Sequence, residues 1–154
     1  MVMAWNPQQY LKFADERLRP GFDLLAQIND LPEGPLFDLG CGPGTHVRAI
    51  AARWPDRAVT GIDNSAAMLA EAAKDPSSIT WVNADIATWQ SPAPAALIFS
   101  NATLHWLTGH DRLFPRLFGM LTEGGVLAVQ MPRNFDNPSK SLLRETAASG
   151  PWAA

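Results

Sequence analysis

Three glycines follow an acid in the run D-L-G-C-G-P-G at positions 38–44. An apolar segment at 36–39 leads into the first glycine, and apolar residues at 47, 50, 51 and 54 follow with the spacing of one helix face. This pattern predicts a strand, a glycine turn and a helix. Glycines in such a turn can adopt positive φ and let a ligand approach the backbone closely. We therefore predict that residues 40–44 form part of a ligand site.

Two classes of nucleotide ligand compete for this turn. A dinucleotide fingerprint requires the spacing G-x-G-x-x-G, with the pyrophosphate at the helix N-terminus. Here the sixth position is Thr45, which breaks that spacing. Asp38 stands two residues before the first glycine, and a carboxylate there would repel a diphosphate. The sulfonium and α-ammonium groups of S-adenosylmethionine carry the opposite charge, so the residues favour this ligand. A tight structural turn without a ligand is the alternative.

Two further acids are predicted to follow the second and third strands. Asp63 comes about twenty residues after the glycines, where an acid can accept both hydroxyls of a ribose, although it could instead cap a helix. Asp85 can accept a hydrogen bond from an adenine amino group with Ile86 beside the ring, but a loop or capping acid is the alternative. Met68 either touches the adenine or belongs to the core.

The elements that must position these residues alternate between strands and helices. One helix is predicted to begin after Asn6-Pro7 and a second to restart at Pro20, with residues 22, 25 and 28 facing inward. Further strands are predicted at 58–62, 79–82, 95–99 and 126–131, and helices at 65–74, 111–121 and 139–147, with Gly124-Gly125 ending the helix before the last strand. Such alternation is typical of an α/β fold with a mostly parallel sheet and helices on both faces. These sheets bind ligands at the carboxyl ends of their strands.

The amino-acid composition argues against several classes of protein. The length of 154 residues suits one domain, and 47% hydrophobic residues suffice for a core. A formal charge of −3 argues against a nucleic-acid partner. Neither a long apolar span nor a signal peptide is visible, so no membrane partner is expected. Cys41 is the single cysteine, which excludes an internal disulfide and favours a cytoplasmic location. With three scattered histidines it forms no recognisable metal site.

Together, the 38–44 run, Asp63, Asp85-Ile86 and Asn101 resemble the class I S-adenosylmethionine-dependent methyltransferases. The resemblance implies a Rossmann-like fold and extends over the chain to about Glu145. Within that superfamily, further segments are similar to the branch that methylates trans-aconitate. These segments are Trp5-Asn6-Pro7, Tyr10, Phe13, Glu16-Arg17, Arg19-Pro20, Gly61-Ile62-Asp63-Asn64-Ser65, Ala84-Asp85-Ile86, Asn101-Ala102, His105-Trp106-Leu107 and Val129-Gln130-Met131-Pro132.

The resemblance implies a role for each matching position. Asp38, Gly40 and Gly42 would line the methionine part of the cofactor, Asp63 would hold the ribose, and Asp85 with Ile86 would hold the adenine. An N-terminal helical segment, residues 1–30, would fold over the cofactor as a lid on the binding domain at 31–154. The implied cofactor-binding set is Tyr10, Arg17, Asp38, Gly40, Cys41, Gly42, Asp63, Asn64, Met68, Asp85, Ile86 and Asn101.

The implied reaction transfers a methyl group to a carboxylate oxygen of a small polycarboxylic acid, which gives a monomethyl ester and S-adenosylhomocysteine (SAH). A carboxylate is already ionised at neutral pH, so the reaction needs no general base. Asn101 would lie near the methyl group. The anionic substrate needs cationic or donor partners, and Arg133, Arg17, His105 and Trp106 are the candidates. A solvated surface charge is the alternative for each arginine.

Three other functions stay open at this stage. The acceptor could be another small carboxylate, an acyl-carrier thioester or a quinone precursor. A nicotinamide-dependent oxidoreductase is disfavoured by the glycine spacing and by Asp38. A cofactor-binding fragment without catalysis is the third possibility, because the family fold continues for two more strands after the fifth. On that basis we expect an apparently truncated sheet whose fifth strand is open to self-association, weak cofactor binding and little transferase activity.

Overall fold

The computed structural model describes residues 14–133 and 137–152. Strands and helices alternate along the chain, and a single turn of 3-10 helix follows the fourth strand. In chain order the elements are α1 (Ala14–Ala26), β1 (Leu36–Leu39), α2 (Thr45–Arg53), β2 (Val59–Asp63), α3 (Ala66–Ala72), β3 (Thr80–Asn83), β4 (Ala95–Asn101), the 3-10 helix (Leu104–Trp106), α4 (His110–Phe118), β5 (Leu121–Gln130) and α5 (Pro138–Ser149).

The five strands form one sheet in the order β3-β2-β1-β4-β5. Every neighbouring pair is parallel, so all five carboxyl ends lie at the same edge. Strand order reverses between β1 and β4, and the crevice above this switch point is where such sheets bind ligands. The α/β fold predicted from the sequence is therefore confirmed.

The two central strands are buried on both faces, as continuous apolar runs in a parallel sheet should be. All four residues of β1 are buried, and in β4 only Asn101 is not. One face carries Leu36 and Phe99 against α1 and α2, and the other carries Phe37 and Ile98 against α4. Helices thus cover both faces, and the rigid centre of the sheet fixes the strand tips that carry the predicted site.

The N-terminal helix differs from the prediction at Pro20. The sequence predicted a new helix at this proline, whereas α1 runs through it without interruption. Proline removes one backbone donor, and docking against the sheet compensates for it. Leu25 and Ile28 are each 5% exposed, and the side chain of His46 in α2 bonds to the carbonyl of Leu18 at 3.0 Å. Phe22 was predicted to face inward but is 40% exposed.

The segment around Gly124-Gly125 is the second correction. The helix predicted to reach residue 121 ends at Phe118, and β5 begins at Leu121 rather than at Val126. Gly124 has φ +74° and lies where the register between β4 and β5 shifts. The glycines therefore form an irregularity inside an extended strand, as glycines at a β-bulge do, and do not separate a helix from a strand.

The last two elements, β5 and α5, lie at the outside of the fold. Strand β5 lies at the edge of the sheet, as predicted. Helix α5 buries none of its residues, and Leu142 and Leu143 are more than 60% exposed. Across the residues described, no helix is both long and apolar enough to cross a membrane.

Candidate functional site

A cavity of about 320 Å³ opens at the carboxyl edge of the sheet, within the usual range of roughly 300–1,000 Å³ for ligand pockets. Its walls come from the glycine turn after β1, the tip of β2 with the start of α3, the loop after β3, and the segment after β4. The lining residues are Gly40, Gly42, Pro43, Asp63, Asn64, Ser65, Met68, Asp85, Ile86, Ala102, Thr103, Trp106 and Leu107.

The glycine turn, residues 40–44, needs glycine for its backbone conformation. Gly40, Gly42 and Gly44 have φ of +75°, +53° and +92°, in the left-handed region that disfavours side chains. The amide of Gly40 donates to the carbonyl of Ile62 at 2.7 Å, which fixes the start of the turn against β2. The hydroxyl of Thr103 shares its one proton between the carbonyls of Gly40 at 3.3 Å and Asn101 at 3.1 Å. The turn is thereby held between β2 and the segment after β4.

Gly42 is the open position of the turn. A Cβ built there would meet no atom within 4 Å, so its backbone faces free space in the cavity. Its amide donates to Oδ2 of Asp63 at 2.8 Å, and Oδ1 of the same carboxylate accepts from the amide of Ser65 at 2.8 Å. Ser65 in turn caps α3, with its Oγ accepting from the amide of Met68 at 3.4 Å. Asp63 therefore joins the glycine turn to the first turn of the next helix.

Asp38 lies beneath the turn, 2% exposed, and does not line the cavity. Burial, and secondarily the negative charge of Asp63, raise the pKa of Asp38 to about 8, although a hydrogen bond from the backbone of Val47 acts in the opposite direction. The carboxyl group is therefore mostly protonated at neutral pH. Burial also raises the pKa of the Cys41 thiol, so this side chain is an unreactive packing group in the turn.

Replacing Asp38 with asparagine should flatten the pH dependence of stability. Because the pKa of Asp38 is about 8 in the folded chain and near 3.8 when unfolded, the folded state binds the extra proton between these values. Stability is therefore lost as pH rises from about 4 through 8, by at most about 1.4 kcal/mol per unit. Urea unfolding at about pH 5 and about pH 8.5 should show a smaller drop in the free energy of unfolding for Asp38→Asn. An equal drop in both proteins would contradict the burial of an ionisable group here.

The loop after β3 forms a tight turn over residues 85–89, called the Asp85 turn below. The Asp85 carbonyl accepts from the amides of Thr88 at 3.1 Å and Trp89 at 2.8 Å, and its Oδ1 accepts from the amide of Ala87 at 2.8 Å. Ile86 is 6% exposed and packs in the core while also reaching the cavity wall. An acidic oxygen and an apolar side chain thus stand side by side in the cavity.

The segment after β4 is strained. Ala102 has φ +51°, a conformation that costs about 1–3 kcal/mol for a residue with a side chain and often marks functional sites. Among the residues described, the buried Oδ1 of Asn101 and Nδ1 of His105 have no hydrogen-bond partner. Burial lowers the pKa of His105 below its ordinary value. The Trp106 ring lies 4.7 Å from that of His105 and is 68% exposed at the cavity mouth.

The structure brings together most, but not all, of the residues predicted to form the site. Asp38, Cys41, Asn101 and His105 adjoin the cavity in sequence but do not line it, and Arg133 is exposed beyond the end of β5. Tyr10 and the side chain of Arg17 lie outside what the structure describes. The predicted residues that line the cavity are Gly40, Gly42, Asp63, Asn64, Met68, Asp85, Ile86 and Trp106.

Five lining residues were not among the predicted site residues: Pro43, Ser65, Ala102, Thr103 and Leu107. Pro43, Ser65, Ala102 and Leu107 stood inside motifs already singled out. Ala102 and Thr103 directly follow the end of β4, so the rule that ligands bind at carboxyl strand ends could have found them.

The residues that form this cavity match a known sequence family. The sequence family described as methyltransferase domain matches residues 36–125, which run from β1 into β5. The chain belongs to the methyltransferase domain family. Within this methyltransferase domain, the matched residues contain the glycine turn, Asp63, the Asp85 turn and Asn101, and therefore the whole cavity wall.

Curated relatives of this methyltransferase domain include proteins named trans-aconitate 2-methyltransferase. The protein from Azoarcus sp. (strain BH72) is 49% identical over 98% of this chain, and that from Methylobacterium radiotolerans is 50% identical over 97%. The chain spans 59% and 58% of the lengths of these two relatives.

Solved structures share the fold of this methyltransferase domain. An S-adenosylmethionine-dependent methyltransferase from Mesorhizobium loti superimposes with a TM-score of 0.60 at 28% identity, over 73% of this chain and 53% of that one. A plantazolicin methyltransferase solved in complex with SAH superimposes with a TM-score of 0.66 at 18% identity, over 79% of this chain and 50% of that one. The methyltransferase form of the Rossmann-like fold, predicted from the sequence, is confirmed.

Proposed function

We propose that this chain binds S-adenosylmethionine and acts in its transfer of a methyl group to a carboxylate of a small polycarboxylic acid such as trans-aconitate. The observation that carries the proposal is the identity of about 49% with curated trans-aconitate 2-methyltransferases over nearly the whole chain. The product would be a monomethyl ester and SAH. The proposal extends from those relatives to this chain because the matched residues include its entire cavity wall.

The chemistry of the cavity fits this cofactor. Asp63 and Asp85 line the cavity, and none of the described residues that line it is a lysine or an arginine. An acidic cavity without basic side chains is a poor site for a diphosphate and suits a cationic nucleoside. The open backbone at Gly42 leaves room for a ligand to lie directly on the turn. A nicotinamide dinucleotide is disfavoured on the same grounds.

Each part of the cofactor has a proposed partner. Asp63 would accept from the ribose hydroxyls, and Asp85 from the adenine amino group while Ile86 packs on the ring. Met68 is 5% exposed and belongs to the core, yet it reaches the cavity wall beside them. The remaining proposed contacts, which would hold the methionine part and the edge of the nucleoside, are Asp38, Gly40, Cys41, Gly42, Asn64 and Asn101.

The proposed reaction requires little acid–base chemistry from the protein. When bound, the cofactor supplies a methyl group activated by a positively charged sulfur. The acceptor carboxylate is ionised at neutral pH, so the site has only to orient the two reactants and exclude water. We assign this task to Asn101 at the end of β4, to His105 and Trp106 after that strand, and to Arg133 after β5. Asn101 pairs with Gln130 across the two strands, which brings both segments to one end of the site.

The N-terminal segment completes the proposed site. We propose that residues 1–30 act as a helical lid on the binding domain at 31–154, with Tyr10 and Arg17 facing the cofactor. Support comes from α1, which is held against α2 by the contact of His46 with the Leu18 carbonyl. The proposed lid segment is therefore attached to the binding domain through α1, at Leu18.

Two measurements test the proposed function. Calorimetric titration of the purified chain should show SAH binding and no binding of a nicotinamide dinucleotide, because the cavity wall is acidic. Because little transferase activity is expected of the chain, incubation with methyl-labelled S-adenosylmethionine and trans-aconitate tests the kind of product: the small amount of labelled product that forms should be hydrolysed to methanol by mild base, with cis-aconitate as the matched control acceptor. A base-stable labelled product, or binding of the dinucleotide in preference to SAH, would contradict the proposal.

A further inference from the structure

Arg116 in α4 contacts the turn that carries two of the proposed adenine partners. Its Nη2 donates to the carbonyl of Ile86 at 2.7 Å, and its Nη1 donates to the carbonyl of Trp89. The two acceptors stand near the two ends of the Asp85 turn, thirty and twenty-seven residues before the arginine in sequence. One guanidinium therefore spans the turn from outside the cavity.

The turn needs such a donor because its geometry leaves carbonyls without partners. The amides of Thr88 and Trp89 both point to the Asp85 carbonyl, as in a single turn of helix. In a single helical turn the later carbonyls have no amide to accept from. Arginine is suited to satisfy two of them at once, because its planar guanidinium presents several donors in a fixed geometry.

The helix that carries Arg116 is itself fixed in the core. Leu113 is 6% exposed and Leu117 fully buried, and both pack in the same cluster as Ile86. Arg116 lies between them in sequence at the margin of this buried face, and it does not line the cavity. Packing of α4 therefore sets the position of Arg116 relative to the Asp85 turn, and the hydrogen bonds from Arg116 fix the turn to α4 and the sheet.

We infer that Arg116 is a positioning residue for adenine recognition: it holds the Asp85 turn so that the Asp85 carboxylate and the Ile86 side chain present a fixed edge to the base. The inference rests on the proposed function, because it names the base that this edge reads. A flexible turn would still offer an acidic oxygen, but it would not distinguish an amino group from a carbonyl at the same position of the purine.

The first test needs no ligand. In the unligated chain, Arg116→Met should accelerate hydrogen exchange at the amides of Thr88 and Trp89 by at least about tenfold, because both hydrogen bonds that the guanidinium donates to the turn are lost. The amides of Gly40 and Cys41, which donate to the Ile62 carbonyl, serve as internal controls and should not change. Unchanged exchange at Thr88 and Trp89 would overturn the inference.

The second test asks whether the turn reads the base. SAH and S-inosylhomocysteine differ at the purine position where adenine carries its amino group, so their affinity ratio reports discrimination. Arg116→Met should weaken SAH binding by about tenfold and lower the ratio by at least about threefold. Arg116→Lys keeps the charge but not the planar guanidinium, so its SAH affinity and its ratio should lie between those of the unaltered chain and Arg116→Met. This variant also provides the test if Arg116→Met does not fold. The matched control is Arg112→Met, an exposed arginine one helical turn earlier.

The outcomes separate the inference from the proposed function. A weaker affinity for both ligands with an unchanged ratio would show a merely structural arginine and overturn the inference while leaving the proposed function intact. If the unaltered chain binds neither ligand, the proposed function fails and adenine recognition by this turn fails with it. Faster exchange together with a lower ratio supports the inference.

Discussion

Replacing Gly40 with alanine should destabilise the chain by about 3 kcal/mol, against about 1 kcal/mol for the same change at Gly42. Both positions have positive φ, and a left-handed conformation costs a residue with a side chain roughly 1–2 kcal/mol. Only at Gly40 does the new methyl group also meet another residue. Overpacking of that kind adds about 1–3 kcal/mol.

The neighbour that Gly40→Ala would meet is Thr103. A Cβ at Gly40 would lie 2.2 Å from both Cγ2 and Oγ1 of Thr103, and 2.6 Å from its Cβ. Rotation about χ1 moves the first two atoms but not the third, so the backbone of one segment must shift. The glycine turn and the segment after β4 would separate, and the hydrogen bond from Thr103 to the Gly40 carbonyl would be lost.

Urea unfolding of the two alanine variants measures this difference, since both carry the same conformational penalty. Thr103→Ala should not rescue Gly40→Ala, because it retains the interfering Cβ. Thr103→Gly should recover part of the loss. Equal destabilisation at Gly40 and Gly42, or full rescue by Thr103→Ala, would show that the close approach described here does not limit the turn.

Removal of the Asp63 carboxylate should weaken SAH binding by at least about a hundredfold. The carboxylate is the proposed acceptor for both ribose hydroxyls, and hydrogen bonds to a charged group each contribute roughly 1.5–3 kcal/mol. Asp63→Ala removes this acceptor and also leaves the amides of Gly42 and Ser65 without theirs, which loosens the glycine turn. Asp63→Asn keeps one oxygen, so its affinity for SAH should lie between those of the unaltered chain and Asp63→Ala. Calorimetry at constant pH measures both, and Asp56→Ala, at an exposed position away from the cavity, is the control.

Asp63→Asn carries a second, independent readout. The negative charge of Asp63 is one cause of the raised pKa of Asp38, so its removal should lower that pKa. Burial remains the larger cause, which means the pKa should stay above its ordinary value. NMR titration of the Asp38 carboxyl carbon would follow it. An affinity for SAH within a few-fold of the unaltered chain would remove Asp63 from the binding site, whatever the titration shows.

Local sequence signals predicted the backbone geometry of the cavity wall well. The glycine run fixes its own backbone by allowing positive φ, and Ser65 caps α3 at the position where a helix was predicted to begin. Asp63 and Asp85 follow β2 and β3, so their placement at one edge follows from the parallel sheet alone. These features depend on residues close together in sequence and on one general rule of topology.

Features that depend on distant contacts could not be predicted in this way. Pro20 indicated a helix start, but packing across the sheet keeps α1 continuous. Gly124-Gly125 indicated the end of a helix, but pairing with β4 draws the residues before them into β5. Thr103 reaches a carbonyl 63 residues away and Arg116 one 30 residues away. Nothing in the spacing of either residue indicates its partner.

The neutral acid under the glycine turn has a consequence for ligand exchange. A cation that settles above Asp38 stabilises the carboxylate and lowers its pKa below about 8. At physiological pH the site would then release a proton to the solvent as it takes up the sulfonium nucleoside. After methyl transfer the sulfur of the spent nucleoside is uncharged, and the acid can recover its proton. Uptake of the sulfonium nucleoside would thereby be favoured in mildly alkaline surroundings, whereas the affinity for the product, beside which the acid keeps its proton, would not depend on pH through Asp38.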